Sequence, residues 1–254
     1  MRLGQQAEAE GFRLTVFETT GSTNDEALQA SSLGNMGKHW FVAYDQTAGR
    51  GRNGRQWSSN RGNLFSTLLL IDPCPTADLP KLGFVAGVAV LQAVRELVAE
   101  PQAIRLKWPN DLLASGAKLA GILLEGRALA GGQQAVAIGI GVNCAHCPDG
   151  LPYLASCLAQ LGAEAGAEHL FEKLSDRIAA NLTTFDRARG FDAIREAWLA
   201  SAHGLSGPIT VRAGTEPKSG IFSGIDDQGR LIFDDGNGRQ LIHAADVAFP
   251  QASM

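Results

Sequence analysis

The apolar residues in the first half of the chain fall mostly in short runs, a pattern typical of strands. Such runs occupy residues 14–17, 41–44 and 64–71, and β-branched or aromatic residues within them favour extended structure. Residues 82–98 (LGFVAGVAVLQAVRELV) form a longer apolar run that becomes amphipathic towards its end, which predicts a mostly buried helix. The first half of the chain therefore predicts a sheet packed against a helix.

More strands are predicted between residues 104 and 142. Residues 104–108 (IRLKW) alternate apolar and basic side chains, so the apolar residues face one way and Lys107 faces the other. Pro109 ends that strand. Residues 112–125 then predict a hairpin with a turn at ASGA, and residues 134–142 predict a further strand.

The second half of the chain changes from a helical to a β pattern. Apolar residues recur every three or four positions across 170–185 and again across 191–198, which predicts two amphipathic helices. From residue 206 onward, short apolar runs alternate with turn residues, as in a small antiparallel barrel of about 45 residues. We therefore predict an α+β fold with two domains, residues 1–204 and residues 205–254.

The segment TAGRGRNGRQW, residues 47–57, combines arginines and glycines in an unusual density. Its glycines allow close backbone approach to a ligand, and Arg50, Arg52 and Arg55 carry planar donor groups that match carboxylate or phosphate oxygens. Three interpretations compete: a phosphate or acyl-phosphate cradle, a nucleic-acid-binding segment, and a solvated loop. The glycines spell G-x-G-x-x-G, but the following residues lack helical periodicity and lead into another strand, which argues against a dinucleotide-binding fold.

Two further features could bind a small polar ligand. Thr23 and Glu26 form the pattern of a capping box, so a helix is predicted to begin there, and the same polar groups could hold a ligand. Gly139 and Gly141 lie on one face of their predicted strand, where missing side chains could admit a flat ligand or simply allow close packing.

The composition is that of an ordinary globular protein. The 254 residues include 45% hydrophobic and 19% charged side chains with a net charge of −4, which argues against extended disorder and against nucleic-acid binding. No secretory signal is apparent and the apolar run 82–91 is too short to span a bilayer, so we expect a cytoplasmic protein without a membrane partner. Cys144 and Cys147 form a C-x-x-C without a second ligand pair, and we interpret them as reduced thiols in a loop.

Four motifs follow one another along the chain: GSTN (21–24), TAGRGRNGRQW (47–57), KWPND (107–111) and KLAGILLE (118–125). Together they resemble the biotin protein ligases, over nearly the whole chain. The resemblance implies a class II synthetase-like catalytic domain, with a central mixed or antiparallel sheet and helices on one face, followed by a C-terminal SH3-like β-barrel. Only 21 residues precede Ser22, so we expect the monofunctional type without the N-terminal DNA-binding domain.

The resemblance also implies roles for individual residues. Those implied to bind biotin are Ser22, Thr23, Asn24, Gln46, Arg50, Gly51, Arg52 and Lys107. Those implied to contact ATP or the adenylate are Arg50, Arg52, Trp57, Asn110, Lys118 and Asn143. Lys107 and Arg52 would be the catalytic groups, because the biotin carboxylate and the ATP phosphates are all anions that must be neutralised and held in line. Asn53 departs from the family, which frequently has another arginine at this place.

The implied reaction activates biotin to biotinyl-5′-AMP with ATP, releases pyrophosphate, and transfers biotin to a lysine of a biotin carboxyl carrier protein or domain. Mg²⁺ would accompany the ATP, with ligands that the spacing does not identify, and the family resemblance allows a homodimer. The glycine-containing segment 47–63 is expected to be mobile until a ligand binds. Three alternatives stay open: a lipoate-protein ligase-like acyl-adenylate transferase, a nucleic-acid-binding module, and a non-catalytic biotin sensor.

Overall fold

The structure is a computed structural model that describes residues 1–164, 166–212 and 216–249. Its helices are α1 (Gln5–Ala9), α2 (Thr23–Ser32), α3 (Leu82–Arg95), α4 (Ala167–Phe185) and α5 (Phe191–Ala200). The strands of its first part are β1 (Arg13–Phe17), β2 (His39–Ala43), β3 (Leu64–Ile71), β4 (Ile104–Lys107), β5 (Asp111–Ala114), β6 (Ala117–Ala128) and β7 (Gln134–Val142). The strands of its last part are β8 (Pro208–Arg212), β9 (Lys218–Ile225), β10 (Leu231–Asp234), β11 (Arg239–Ile242) and β12 (Asp246–Ala248).

The first seven strands form one mixed sheet in the order β1-β2-β3-β7-β6-β5-β4. Only β1 and β2 pair in parallel, and the remaining neighbours are antiparallel. The long strands β3, β6 and β7 lie in the middle of this sheet, and β3 and β7 are buried along almost their whole length. The predicted α+β fold with a mixed central sheet is thereby confirmed.

Helices lie on both faces of this sheet. Helices α3, α4 and α5 pack on one another, and α3 lies against the strands β4 to β7. Successive residues of a strand point to opposite faces, and accordingly Trp40 and Leu68 belong to this larger core, whereas Phe41 and Leu69 pack under α2. The expectation of helices on one face is therefore correct for α3, α4 and α5 and wrong for α2. The face that α2 only partly covers is the one that carries the site described below.

The segment Thr76–Arg95, which contains α3, is long and apolar enough to cross a membrane by length and composition alone. However, 72% of its most apolar stretch is buried inside the protein. Its neighbours are α4, α5 and the sheet. Apolar side chains all round are what a helix buried on every side requires, so the interior of the protein accounts for this hydropathy.

The last five strands form a separate antiparallel sheet in the order β11-β10-β9-β8-β12. Val211, Phe222 and Phe233 fill its interior. Within the described residues the edge strands β11 and β12 do not pair, so the predicted small β-barrel is present as five antiparallel strands that do not close. Trp108 donates its indole N–H to the carbonyl of Gly229 at 3.1 Å, which joins this sheet to the end of β4. The domain boundary at residues 204 and 205 stays a prediction.

Candidate active site

A cavity of about 1270 Å³ opens on the α2 face of the larger sheet. It is lined by residues from four places: the start of α2, the loop of residues 47–57 (the arginine–glycine loop), the central strands and the C-terminal sheet. All residues predicted to bind biotin line this cavity, and so do Trp57, Asn110 and Lys118 from the adenylate set. The structure thus brings together residues that lie far apart in the sequence.

The start of α2 forms a buried polar corner of the cavity. Ser22, Thr23 and Asn24 are all buried. The side chain of Gln46 accepts hydrogen bonds from the backbone N–H of Thr23 at 2.8 Å and from its hydroxyl at 3.1 Å. The predicted capping box is therefore wrong: Thr23 is the first helical residue, Ser22 makes no side-chain cap, and the hydroxyl of Thr20, instead of Thr23, bonds to Glu26. Gln46 thus supplies an acceptor for one of the backbone N–H groups that have no partner within the helix at its start.

Asn24 is fixed by partners on two central strands. Its amide N–H donates to Glu125 at 2.6 Å, and its carbonyl oxygen accepts from the Thr67 hydroxyl at 2.6 Å. A Cβ atom on Gly139 would lie 2.3 Å from that oxygen. The Asn24 side chain therefore occupies the space next to Gly139, where a larger side chain would not fit. Of the two interpretations of this glycine, room for a flat ligand or close packing, the structure supports close packing.

The arginine–glycine loop is a compact turn between β2 and β3. Gly51 N–H donates to the Arg55 carbonyl at 2.7 Å, and Trp57 N–H donates to the Gly49 carbonyl at 2.9 Å. A short 3₁₀ turn, Arg52–Gly54, forms its tip, with Asn53 at a positive φ of 56°. No helix follows the third glycine before β3 begins, which confirms that the glycine pattern is not a dinucleotide-binding fingerprint.

Two of the three loop arginines are neutralised by carboxylates. Arg50 forms ion pairs with Asp25 at 2.6 Å and with Glu125 at 3.0 Å, and the hydrogen bonds that Arg50 donates to Asp25 raise the pKa of Arg50. Arg55 forms an ion pair with Asp246 of the C-terminal sheet, and the hydrogen bond that Arg55 donates to that carboxylate raises the pKa of Arg55. Because of these pairs, the positive charges of Arg50 and Arg55 are offset without a bound anion.

Arg52 is the third loop arginine, and it faces the cavity. It donates to the side-chain oxygen of Asn110 at 3.2 Å and has no carboxylate within ion-pair distance in the described part of the chain. Asn110 in turn donates to the Ile122 carbonyl at 2.7 Å, which holds the amide in place. The guanidinium of Arg52 is therefore positioned by a neutral group and keeps its charge for a ligand.

The indole of Trp57 lies on a floor made by two glycines. Gly121 and Gly141 are direct partners on β6 and β7, and a Cβ atom would lie 3.0 Å from the indole at Gly121 and 2.6 Å from it at Gly141. The Lys118 ammonium lies 5.6 Å from the centre of the Trp57 ring and 2.7 Å from Asp111. A side chain at either glycine would remove the space for the aromatic ring.

Lys107 ends β4 and projects into the cavity. Burial lowers the pKa of Lys107. The positive charge of Lys118 also lowers this pKa, whereas the Asp111 carboxylate raises it. The Lys107 ammonium lies 5.9 Å from the centre of the Phe249 ring and has no carboxylate within 4.0 Å among the described residues. A half-buried ammonium without a counter-ion is a place where an anionic group of a ligand is stabilised.

Asn143 is the one predicted site residue that lies outside the main cavity. Its buried amide donates to the carbonyl of Ser156 at 3.0 Å and to that of Lys118 at 3.4 Å. It borders a cavity of about 20 Å³ that also touches Trp57 and Lys118. Asn143 therefore lies behind the wall of the site, next to the predicted adenylate residues.

The cysteines differ from the sequence interpretation. Cys147 is disulfide-bonded to Cys157, so the expectation of a reduced thiol is wrong for Cys147. Cys144 and Cys74 are free and buried. The sequence motif obscured this pairing because the partner of Cys147 lies ten residues further on and not within the C-x-x-C.

The residues present fit Mg²⁺ only as a companion of a bound nucleotide. No group of three or more His, Cys, Asp or Glu side chains lies together among the described residues, and the cavity contains the Asp111 carboxylate, which lies 2.7 Å from the Lys118 ammonium. Mg²⁺ commonly takes one or two carboxylates and completes its shell with phosphates and water. Such a donor set is compatible with the cavity.

Several residues of the site were missed in the sequence. Glu125 binds both Asn24 and Arg50, and Asp246 binds Arg55 across the two sheets. Tyr153 places its ring 5.6 Å from the Lys118 ammonium. Glu125 ends the KLAGILLE motif and could have been noticed there, whereas Asp246 and Tyr153 lie in segments without any motif.

Comparison with known proteins places these features in a family. Residues 16–143 match the Biotin/lipoate A/B protein ligase family, and residues 208–249 match the Biotin protein ligase C terminal domain. The second match accounts for the C-terminal sheet that follows the catalytic part.

Individual relatives are similar over almost their full length. The biotin–[acetyl-CoA-carboxylase] ligase of Paracoccus denitrificans is 42% identical over 239 residues, which cover 91% of this chain and 98% of the relative. The enzyme of the same name from Mycobacterium tuberculosis is 34% identical over 244 residues, covering 93% and 89%. The biotin protein ligase from Aquifex aeolicus in complex with biotin and ATP has a TM-score of 0.78 at 26% identity, covering 93% and 98%. The chain therefore belongs to the biotin protein ligase family.

Proposed function

We propose that this protein is an ATP-dependent biotin protein ligase that modifies a lysine of a biotin carboxyl carrier domain. In the first step the biotin carboxylate attacks the α-phosphorus of ATP, which forms biotinyl-5′-AMP and releases pyrophosphate. In the second step the lysine amine attacks the activated carbonyl, which forms an amide and releases AMP. The observation that carries the proposal is one cavity that combines a buried polar corner, an uncompensated lysine and an aromatic ring on a glycine floor.

The polar corner suits the ring system of biotin. Hydrogen-bond donors and acceptors on Ser22, Thr23, Asn24 and Gln46 converge there, and a ureido ring presents both kinds of group. Because these side chains are buried and already held by one another, they are preorganised and lose little entropy when biotin binds. Gly51 lines the same cavity, where it allows the backbone to approach the ligand.

Charge neutralisation is the role proposed for Lys107 and Arg52. Both lie in the cavity without a carboxylate partner among the described residues, and the first step brings a carboxylate towards a phosphate. Positioned cations stabilise the charge that develops in such a transition state. Arg50 is assigned to the biotin side, since its carboxylate partners Asp25 and Glu125 adjoin the polar corner. Mg²⁺ bound to the phosphates would supply further positive charge there.

The adenylate is assigned to the region of Trp57, Asn110, Lys118 and Asn143. The Trp57 ring on its glycine floor offers a stacking surface, and stacking of a base on an aromatic side chain is worth roughly 1–3 kcal/mol. The loop that carries Trp57 would close over the mixed anhydride and exclude water until the acceptor lysine arrives. A cytoplasmic location, a homodimer and the absence of a nucleic-acid partner stay predictions of this proposal.

The test is exchange of label between pyrophosphate and ATP. The purified protein should catalyse exchange that depends on biotin, and addition of a biotin carboxyl carrier domain should then yield one biotinylated lysine, detected by mass spectrometry. Exchange with lipoate in place of biotin would favour the acyl-adenylate transferase alternative. Biotin binding without any exchange would favour the sensor.

A further inference from the structure

One wall of the site is formed by the segment between Cys147 and Cys157. Pro152, Tyr153 and Leu154 line the main cavity. Pro148, Leu151, Tyr153 and Ala155 line the small neighbouring cavity, together with Trp57, Lys118 and Asn143. The segment therefore separates the solvent from the part of the site that is assigned to the nucleotide.

Hydrogen bonds hold the chain on either side of residues 147–153. On one side, the Asn63 side chain donates to the His146 carbonyl at 2.9 Å and accepts from the His146 N–H at 3.0 Å. On the other side, Lys118 N–H donates to the Leu154 carbonyl at 2.8 Å, and Ser156 N–H donates to the Lys118 carbonyl at 2.9 Å. Residues 147–153 make no hydrogen bond within the described part of the chain.

The Cys147–Cys157 disulfide is thus the covalent attachment of a run whose other directional contact among the described residues is that of the Tyr153 ring with the Lys118 ammonium, at 5.6 Å. Its two Cα atoms are 5.2 Å apart. Cys157 is buried, with 3% of its surface exposed, and follows the anchored Ser156, whereas Cys147 is half-buried at the start of the unanchored run. Breaking this bond would release residues 147–153 and leave the anchors at His146 and Leu154 in place.

We propose that Cys147 and Cys157 form a thiol–disulfide modification site that controls the binding of ATP by setting the position of this wall. The proposal deepens the proposed function and rests on it, since it concerns the nucleotide side of the same site. In the disulfide form the small cavity beside Asn143 measures about 20 Å³. A water molecule needs about 10–15 Å³ on such a measure, so this part of the nucleotide side admits no ligand group larger than a water molecule until the wall moves outward. The dithiol form permits that movement and binds ATP more tightly.

A low-molecular-weight dithiol reduces the Cys147–Cys157 disulfide in two exchange steps. A thiolate of a low-molecular-weight dithiol attacks Sγ of the more accessible Cys147, the S–S bond breaks, and Cys157 leaves as a thiolate that takes up a proton. The second thiol of the reductant then attacks the mixed disulfide, which releases Cys147 as a thiol and oxidises the reductant to its own disulfide. Two electrons pass from reductant to protein, and a low-molecular-weight disulfide reverses the reaction. Disulfides that occur in a reducing compartment are usually redox-sensing or catalytic ones.

The other cysteines do not take part. Burial raises the pKa of the Cys144 thiol to about 12 and that of the Cys74 thiol to about 11. A thiol must ionise to react, so both are inert near neutral pH. The double substitution Cys74→Ala/Cys144→Ala therefore leaves Cys147 and Cys157 as the responsive pair and provides a matched background.

The experiment compares this background protein after oxidation with oxidised glutathione and after reduction with dithiothreitol, with the thiols counted by mass spectrometry. The affinity for a non-hydrolysable ATP analogue is measured by calorimetry at saturating biotin, and the KM for ATP is measured by biotin-dependent exchange. We expect the oxidised form to bind the analogue at least about tenfold more weakly, which corresponds to ~1.4 kcal/mol, while its KM for biotin changes little. Adding Cys147→Ser to this background should give the affinity of the reduced form under both conditions.

Equal affinity for the analogue in two forms with verified thiol counts would overturn the proposal, and so would a pair that stays reduced in oxidised glutathione. Hydrogen exchange over residues 147–153 provides a second readout, which should be faster in the reduced protein and equally fast after Cys147→Ser. Absence of biotin-dependent exchange in every form would contradict the proposed function instead, and the binding measurement would still decide on the switch.

Discussion

Replacement of Lys107 by methionine is the most direct test of the charge-neutralisation mechanism. Methionine retains the length and flexibility of the aliphatic chain and removes only the ammonium. Lys107 lies on the polar face of β4, and the opposite face carries Ile104 and Leu106 in the core. The substitution therefore leaves the core packing intact and removes a cation that no described carboxylate neutralises.

The expected loss is large for catalysis and absent for stability. Removing one donor aimed at developing charge typically costs ~10²- to 10³-fold in rate, and we expect this loss in kcat/KM for biotin-dependent exchange. Burial lowers the pKa of Lys107 in the folded state. Below that folded pKa the ammonium is charged in both states and its burial opposes folding, a cost that disappears as the pH rises through the folded pKa. At pH 7 the free energy of unfolding of Lys107→Met should thus equal or exceed that of the original protein.

Arg105→Met is the matched control. Arg105 lies two residues earlier on the same face of β4 and does not line the cavity. Exchange kinetics and urea unfolding are measured for both variants. An active Lys107→Met protein, or an equal loss of activity in Arg105→Met, would refute the reasoning. The original protein should also lose activity on the alkaline side with an apparent pKa below 10.5, the ordinary value for lysine, because the ammonium is the active form.

Four more predictions concern the pocket and the loop. Gly141→Ala would place a Cβ atom 2.6 Å from the Trp57 ring and displace it, so the KM for ATP should rise by about 5- to 150-fold, as expected for a lost stacking contact of roughly 1–3 kcal/mol. Glu125→Gln removes the charged acceptor of Asn24, which should weaken biotin binding about tenfold or more in calorimetry, since hydrogen bonds to charged groups contribute ~1.5–3 kcal/mol. Hydrogen exchange over residues 47–63 should slow when a non-hydrolysable adenylate analogue binds. Arg52→Gly should weaken this protection and allow biotinyl-5′-AMP to escape and label lysines indiscriminately.

The first of these predictions has a matched control, and the next two each have an outcome that would contradict them. Gly126→Ala is the partner of Gly141→Ala, since its Cβ would approach only the Ala135 carbonyl, at 3.8 Å, and it should leave the KM for ATP unchanged. For Glu125→Gln, unchanged biotin affinity would show that the charge on this side chain does not support Asn24. Equal exchange over residues 47–63 with and without the analogue would mean that the loop is a fixed scaffold.

The sequence alone determined the order of the elements and the chemistry of the site. Alternating apolar and basic residues predicted β4, and the long apolar run predicted α3, because period and length distinguish a strand from a buried helix. The sequence predicts an anion-binding role for residues 47–57 because glycines allow close backbone approach and arginines supply planar cationic donors. Lys107 and Trp57 are found in one cavity, as the motifs indicated.

Tertiary structure alone decided which charges and surfaces meet. Local sequence does not show that Asp246 neutralises Arg55, that Glu125 holds Arg50, or that Cys147 pairs with Cys157. Gly139 was open to two interpretations until the position of Asn24 was known. These facts depend on contacts between residues that are distant along the chain, and hydrophobic periodicity carries information only about which face of its own element a residue occupies. The packing of the elements therefore decides which carboxylate pairs with which arginine. It also decides which arginine remains available for a ligand.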